Sequence, residues 1–394
     1  MRPSCIRASL GAFALVVVFS GASLRPTAAQ NQPYELNVIL SLSGPGTFVG
    51  TAQKASLDAL ADVVNKSGGI RGRPVKFTYY DDETKPQLSV QLANEVLAKH
   101  VPVVFGSVLA ATCRAMMPLF ANGPVMYCLS PAIYPPKGGY IFSVEVSTKD
   151  SIAAEIRYLH ERGWKRFARL TTTDASGQDA DVDVPEALAH PEFKDMTVVA
   201  NEHFNPTDQS VAAQVARIKA ANPQAILVWA PGTPFGTALR GMKDAGLDVP
   251  TVSTAANMVY SQLKQYAAII PSAGLYFNGY GFLTGMAENA AMKRNIEQYR
   301  AAIQAKGLDN DIQHGESWDG VSITISALRA LGPNASAQQI RDWIWNLKGF
   351  AGITGIYDFK DGDAHGLTSK DAIVVRWDPQ KERVVPVSKF GGYL

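Results

Sequence analysis

Apolar positions in this chain fall into two kinds of segment, and the two kinds alternate. The first is a short apolar, often β-branched run closed by Gly, Pro or Asp, the mark of a buried strand. Residues 34–42, 75–80, 101–105 and 125–129 are of this kind. The second carries apolar residues three or four apart, the spacing of a helix face. Ala52, Ala55, Ala59 and Val63 form one such face, which stops at Gly68-Gly69; Leu88, Leu92 and Val96 form another. Strand and helix taking turns predict a parallel sheet covered on both faces. Ligand contacts are then expected beyond the carboxyl ends of the strands.

The same grammar restarts after Val146. Helices are expected over 151–163, 211–221 and 235–245, and strands over 166–170, 197–200, 225–229 and 251–253. Residues 171–179 (TTTDASGQD) read as a small polar loop. A third section follows, with a strand at 275–278 and helices at 286–306, 318–331 and 337–347. The tail departs from this alternation, since 353–359, 372–377 and 384–387 read as strands joined by turns such as Asp361-Gly362. So much chain exceeds one simple core, and two domains are expected. The pattern shows no short-period repeat.

Residues 101–132 concentrate small hydroxylated positions at strand ends. Ser107 to Thr112 follow one strand and lead into a helix expected at 113–121, which Gly123-Pro124 stops. Ser130-Pro131-Ala132 follow the next strand. Helix starts leave backbone N–H groups unpaired and partly positive, so such loops suit a small carboxylate without any Lys or Arg. A plain strand–helix–strand unit with a Ser-capped helix gives the same pattern.

Composition narrows the setting. Arg2 and Arg7, an apolar stretch over 10–19 and Thr27-Ala28-Ala29 make a secretory leader over 1–29, with cleavage expected after Ala29. Cys5 precedes the apolar stretch without a lipobox, so a lipid anchor is not expected. Without Arg2, Arg7 and Arg25, 34 basic residues stand against 35 acidic, about −1. That balance offers no patch for nucleic acid or anionic lipid, and no direct membrane insertion is expected. Cys113 and Cys128 remain, in an oxidising compartment; a bridge and two buried thiols are both open readings.

Other motifs lead to structural readings. Gly44-x-Gly46-x-x-x-Gly50 imitates a dinucleotide fingerprint, but Val49 occupies the third glycine position. No pair of the six histidines has helical metal-ligand spacing, and no Gly-x-Ser-x-Gly elbow is present. Asp358, Asp361 and Asp363 read as a hairpin turn rather than a calcium loop. Trp229 ends a strand where it can pack or stack on a ligand, and Tyr280 follows another strand. Glu316 and Trp318 stand at the start of a helix, the Trp as packing. No cofactor and no catalytic group is indicated.

The ordered set resembles the type I periplasmic solute-binding proteins of ABC transporters, in the branched-chain amino-acid-binding group. It comprises Ser43-Gly44-Pro45 after the first strand, residues 65–72 (NKSGGIRG), Tyr80-Asp81-Asp82, Ser130-Pro131-Ala132, Gly177 and residues 352–359. The resemblance covers nearly all of the chain after the leader. It implies an α/β fold of two doubly wound, Rossmann-like lobes joined by three crossing segments, near Val146, Tyr276 and Gly349. Lobe one is then 34–146 plus 276–348, and lobe two 147–275 plus 349–394.

The resemblance also assigns a site between the lobes. It places a ligand carboxylate on Ala111 or Thr112 and on Ala132 and its neighbours, with Ser107 and Ser130 next in line, and an aromatic contact at Phe48. Where amino-acid binders of the family carry an acid, this chain has Ala255-Ala256-Asn257; a usual tyrosine is Ser176, and the nearest acid is Asp174. Phe48, Trp229 and Tyr280 offer flat apolar surface, and Asp174 or Asn257 can meet a ring hydroxyl. The expected protein is a monomeric periplasmic receptor that closes on a small carboxylate, an aromatic acid first, and hands it to ABC permease subunits. The alternatives are a branched-chain or other amino-acid receptor, a secreted enzyme using the same cleft, and a ligand-sensing partner of a signalling receptor.

Overall fold

The computed structural model describes residues 32–394 together with Met1. The leader, including the expected cleavage after Ala29, otherwise lies outside the described residues.

Chain order begins with β1 (Tyr34–Leu40), α1 (Thr47–Lys66), β2 (Val75–Asp81), α2 (Pro86–Leu97), β3 (Val103–Phe105), α3 (Ala110–Met116), β4 (Val125–Cys128) and β5 (Ile141–Ser143). The five strands form a parallel sheet in the order β2-β1-β3-β4-β5. β3 and β4 are buried along their whole length, as continuous apolar runs require when helices cover both faces. α3 starts earlier than expected and gives way to a 3-10 turn over Met117–Phe120, because Pro118 has no N–H to continue the α-helical ladder.

The second run is α4 (Thr148–Glu161), β6 (Arg166–Thr172), α5 (Ala175–Leu188), β7 (Thr197–Phe204), α6 (Ala212–Ala220), β8 (Ala225–Trp229), α7 (Thr233–Asp244), β9 (Thr251–Ser253), α8 (Tyr260–Gln265) and β10 (Leu275–Tyr280). Then come α9 (Gly281–Thr284), α10 (Ala290–Ala305), α11 (Ile312–Leu331), α12 (Ala337–Trp345), β11 (Lys348–Ala351), β12 (Ile356–Asp358), β13 (Ala372–Asp378) and β14 (Arg383–Pro386). The second sheet has the order β14-β13-β10-β9-β8-β6-β7, parallel from β7 to β10 and antiparallel at β13 and β14. Its parallel part repeats the order of the first sheet, with β6 standing where β1 stands.

The repetition extends to the packing under each first helix. A side chain on Gly50 in α1 would meet the Ser41 carbonyl at 2.1 Å, and one on Gly177 in α5 would meet the Thr172 carbonyl at 1.7 Å. Both glycines let a helix start close over the strand it follows. α5 itself replaces most of the polar loop expected at 171–179. Its apolar residues are sparse, and Pro185 sits inside it, so its sequence carries no helical stripe.

The sheets displace two of the expected crossings. β10 pairs with β9 and β13 through Tyr280, so residues 276–280, assigned by resemblance to lobe one, are strands of the second sheet. The β11–β12 hairpin rests on the first lobe: Asp319 of α11 accepts the N–H groups of Ile353 (2.9 Å) and Thr354 (2.8 Å), and the Ala364 carbonyl accepts Ser143 N–H at 3.0 Å. α10 and α11 pack on α1. Following these contacts, we propose lobe one as 34–144 plus 281–365 and lobe two as 148–280 plus 369–394.

Candidate functional site

In each lobe the strand order reverses beside the first strand, between β1 and β3 and between β6 and β8, and crevices form beyond strand ends at such points. The two lobes face each other with these ends. A cavity of about 40 Å³ lies between them, with room for roughly three waters. Lobe one lines it with Val108, Leu109 and Ala110 after β3, and with Ser130, Pro131 and Ala132 after β4. Lobe two contributes Ser176, Trp229, Pro231 and residues 254–256. Glu145, Thr148, Ser151, Asn278, Gln313 and Glu316 close the side where the chain crosses between lobes.

Several contacts hold the lobes together around this cavity. Arg114 of α3 pairs with Asp179 of α5 and donates to the Ala132 carbonyl at 2.8 Å. Tyr134 O–H donates to Asp183 at 3.3 Å. Burial pushes the Asp183 carboxyl up to about 6, with the Asp179 charge adding to the rise. Thr233 N–H at the start of α7 donates to the Pro45 carbonyl at 3.0 Å.

Of the residues singled out from sequence, Ser130, Ala132, Ser176 and Trp229 line the cavity. The others are engaged elsewhere. Ser107 is buried and donates to Asp82 at 2.5 Å. Thr112 turns its hydroxyl back to the Leu109 carbonyl at 2.9 Å, and neither it nor Ala111 lines the cavity. Phe48 meets the edge of Tyr266 across the lobes, ring centroids 6.4 Å apart. Asp174 caps α5, accepting Gly177 N–H at 3.2 Å and the Thr172 hydroxyl at 2.8 Å. Asn257 is spent on the Gly232 N–H, the Ala230 carbonyl and the Ser253 hydroxyl. Tyr280 is buried and accepts Val146 N–H at 3.2 Å. Cys113 and Cys128 form a disulfide, Cα atoms 6.1 Å apart, that ties α3 to the end of β4.

Sequence reasoning names Glu316 only as a residue at a helix start and misses Glu145. Glu145 follows β5 with φ of 61°, is 1% exposed, and among the described residues its carboxyl meets the Glu316 carboxyl and the Tyr280 hydroxyl but no positive charge. Glu316 lies in the second turn of α11, which begins at Ile312 rather than at the expected 318. Asp311 caps that helix by accepting His314 N–H at 3.2 Å, and this Asp-x-x-His start is the available signal. Burial pushes the Glu145 carboxyl well above the usual carboxylate range, and the charge of Glu316 beside it pushes the same way. Burial pushes Glu316 up to about 7, against an opposing pull from Glu145 and with Asp311 adding to the rise. Asn278 ties the floor together: its N–H donates to Glu155 (3.0 Å), its amide to Ser151 (3.2 Å), and it accepts Ala255 N–H at 3.1 Å. Trp318 packs at 5% exposure against the edge of Tyr299 and does not line the cavity.

Comparison with known proteins agrees with this architecture. A family model described as periplasmic binding protein matches residues 33–382. A leucine-, isoleucine-, valine-, threonine- and alanine-binding protein of Pseudomonas aeruginosa is 24% identical over 212 residues, covering 52% of this chain and 56% of that protein. A Leu/Ile/Val-binding protein homolog of Brucella melitensis is 21% identical over 376 residues, 94% of this chain and 96% of that one. Among solved structures, an extracellular ligand-binding receptor from Rhodopseudomonas palustris superposes with a TM-score of 0.78 at 20% identity, covering 89% of this chain and 99% of that one. A branched-chain amino acid transporter substrate binding protein of Streptococcus pneumoniae, in complex with isoleucine, gives 0.73 at 18% identity, over 90% of this chain and all of that one. These likenesses show the fold.

Proposed function

The chain belongs to the periplasmic binding protein family, and on that premise we propose that it is an exported receptor that closes its two lobes on a small solute and presents it to the permease subunits of an ABC importer. The observation that carries this reading is the cavity itself, walled by strand-end loops of both lobes and sealed by contacts between them. A solute touching both lobes stabilises the closed arrangement over the open one. Among the described residues, no helix is long and apolar enough to cross a membrane, in keeping with a receptor that meets its permease from outside.

The solute is of amino-acid size. Room for a few waters suits a compact polar molecule better than a ring, and the Pseudomonas relative is named for binding leucine, isoleucine, valine, threonine and alanine. Trp229 in the wall supports the second reading, an aromatic carboxylate, though Phe48, Tyr280, Asp174 and Asn257 do not contribute to it.

Small-angle scattering on protein stripped of ligand by unfolding and refolding tests the receptor reading. A solute that raises the melting temperature should also contract the particle. At a hundred times its dissociation constant it should add about 2.7 kcal/mol of stability. Stabilisation without contraction overturns the two-lobe mechanism.

A further inference from the structure

Glu145 and Glu316 enter the cavity from two segments far apart in sequence, one at the first crossing and one on α11. They are 1% and 4% exposed. Among the described residues, no Lys, Arg or His lines the cavity with them. The nearby His314 is already held by Asp311, ring nitrogen to carboxylate. Gln313 lies beside the pair, accepts from Gln53 at 3.0 Å, and leaves its amide nitrogen without a partner among the described residues. Two acids facing an enclosed space with no counter-charge are costly unless protonated or joined by a cation. Glu145 meets only the Glu316 carboxyl and the Tyr280 hydroxyl, and neither brings it a positive charge.

We infer that Glu145 and Glu316 form the seat for a protonated amine, so that the solute this receptor takes carries an ammonium group. This rests on the receptor reading above and names the class of molecule it admits. An ammonium brings three donors and one positive charge. Two or three of those donors can be met by the Glu145 and Glu316 oxygens, with Ser151 and Thr148 beside them on α4. The seat lies on other segments of the chain than the loop that the resemblance assigned to an amino-acid ammonium, which here carries Ala255 and lines the same cavity.

The charge balance has a consequence for protons. Glu145 faces Glu316 from α11 and Tyr280 from β10; Glu316 faces Glu145 and, on its own helix, Asp311 and Gln313. Without a solute the pair holds a proton near neutrality, and a bound ammonium replaces it. Binding therefore releases protons to solvent and strengthens as pH rises through about 7.

The test uses the refolded mature chain and matched solutes that differ by the amine alone: L-alanine with propanoate, L-leucine with 4-methylpentanoate, and L-phenylalanine with 3-phenylpropanoate. Titration calorimetry in two buffers of different ionisation enthalpy gives affinity and proton count together. At least one amine-bearing member should bind with proton release, and its deaminated twin should not. Glu145→Gln and Glu316→Gln, each keeping the shape of the side chain, should each weaken that binding roughly 10- to 100-fold and change the number of protons released. A twin that binds as tightly while the particle contracts overturns the seat and leaves the receptor standing, as does unchanged affinity in both Gln variants. No binding and no contraction with any of the six overturns both readings.

Discussion

The cavity has two sides that are built differently. Its lip, made of residues 108–110 and 130–132, comes from loops that directly follow β3 and β4. It is neutral, small and local, and its residues lie within one strand–helix–strand unit. Its hinge wall joins Glu145, Asn278, Gln313 and Glu316 from three separate passes of the chain. It is charged, fully buried and assembled only by the fold. The lip can be supported by covalent and helical geometry alone. The wall carries groups whose burial opposes stability, which is what a site kept for a ligand looks like.

The largest expected effect falls on the lip. Its scaffold, α3, is bound to β4 by a disulfide between residues 15 apart in sequence. Replacing both Cys113 and Cys128 with Ala should cost about 3 kcal/mol of stability, read from chemical denaturation. A loss well under ~1 kcal/mol would mean that packing alone supports the lip.

The wall should respond with the opposite sign. The folded Glu316 carboxyl sits at about 7, above its ordinary value of 4.5. The folded state therefore holds a proton that the unfolded state has lost, and stability falls as pH rises between those values. Glu316→Gln removes that dependence. At about pH 8 the variant should be more stable than the parent by up to about 3 kcal/mol, and the two should converge near pH ~4. A variant destabilised at that higher pH would make Glu316 a structural group and erase the contrast.

The same contrast explains what is legible beforehand. Strands such as 225–229 and 251–253 fall where their apolar runs put them. The two-lobe fold is legible because each lobe repeats one local grammar. The lip residues Ser130 and Ala132 are legible for the same reason. Asp174 and Asn257 stand out in the sequence as polar groups near the expected loops. Both prove to be spent on backbone within a few residues or across one strand end, where caps and loop ties are made. The Asp311 cap signals the earlier helix start that carries Glu316, but nothing near Glu145 or Glu316 in sequence says that the other lies beside it.

The smallest effect separates hydroxyl from backbone at the lip. Thr112 donates within its own helix. Thr112→Ala should leave solute affinity unchanged, while losing a buried hydrogen bond worth about 1 kcal/mol of stability. A roughly tenfold loss of affinity in calorimetry would return Thr112 to the site as the resemblance implied.

Between the lobes, Gly232 packs backbone to backbone against the Pro45 carbonyl. An added β-carbon there would lie 2.2 Å from that oxygen, and the φ of 83° is itself a glycine conformation. Next to it, Thr233 N–H closes on the same carbonyl. Backbone thus rests on backbone, with no flexible side chain between to compress or rotate. In this arrangement the contact is a hard stop: these two loops can come no nearer to each other, whatever the cavity holds.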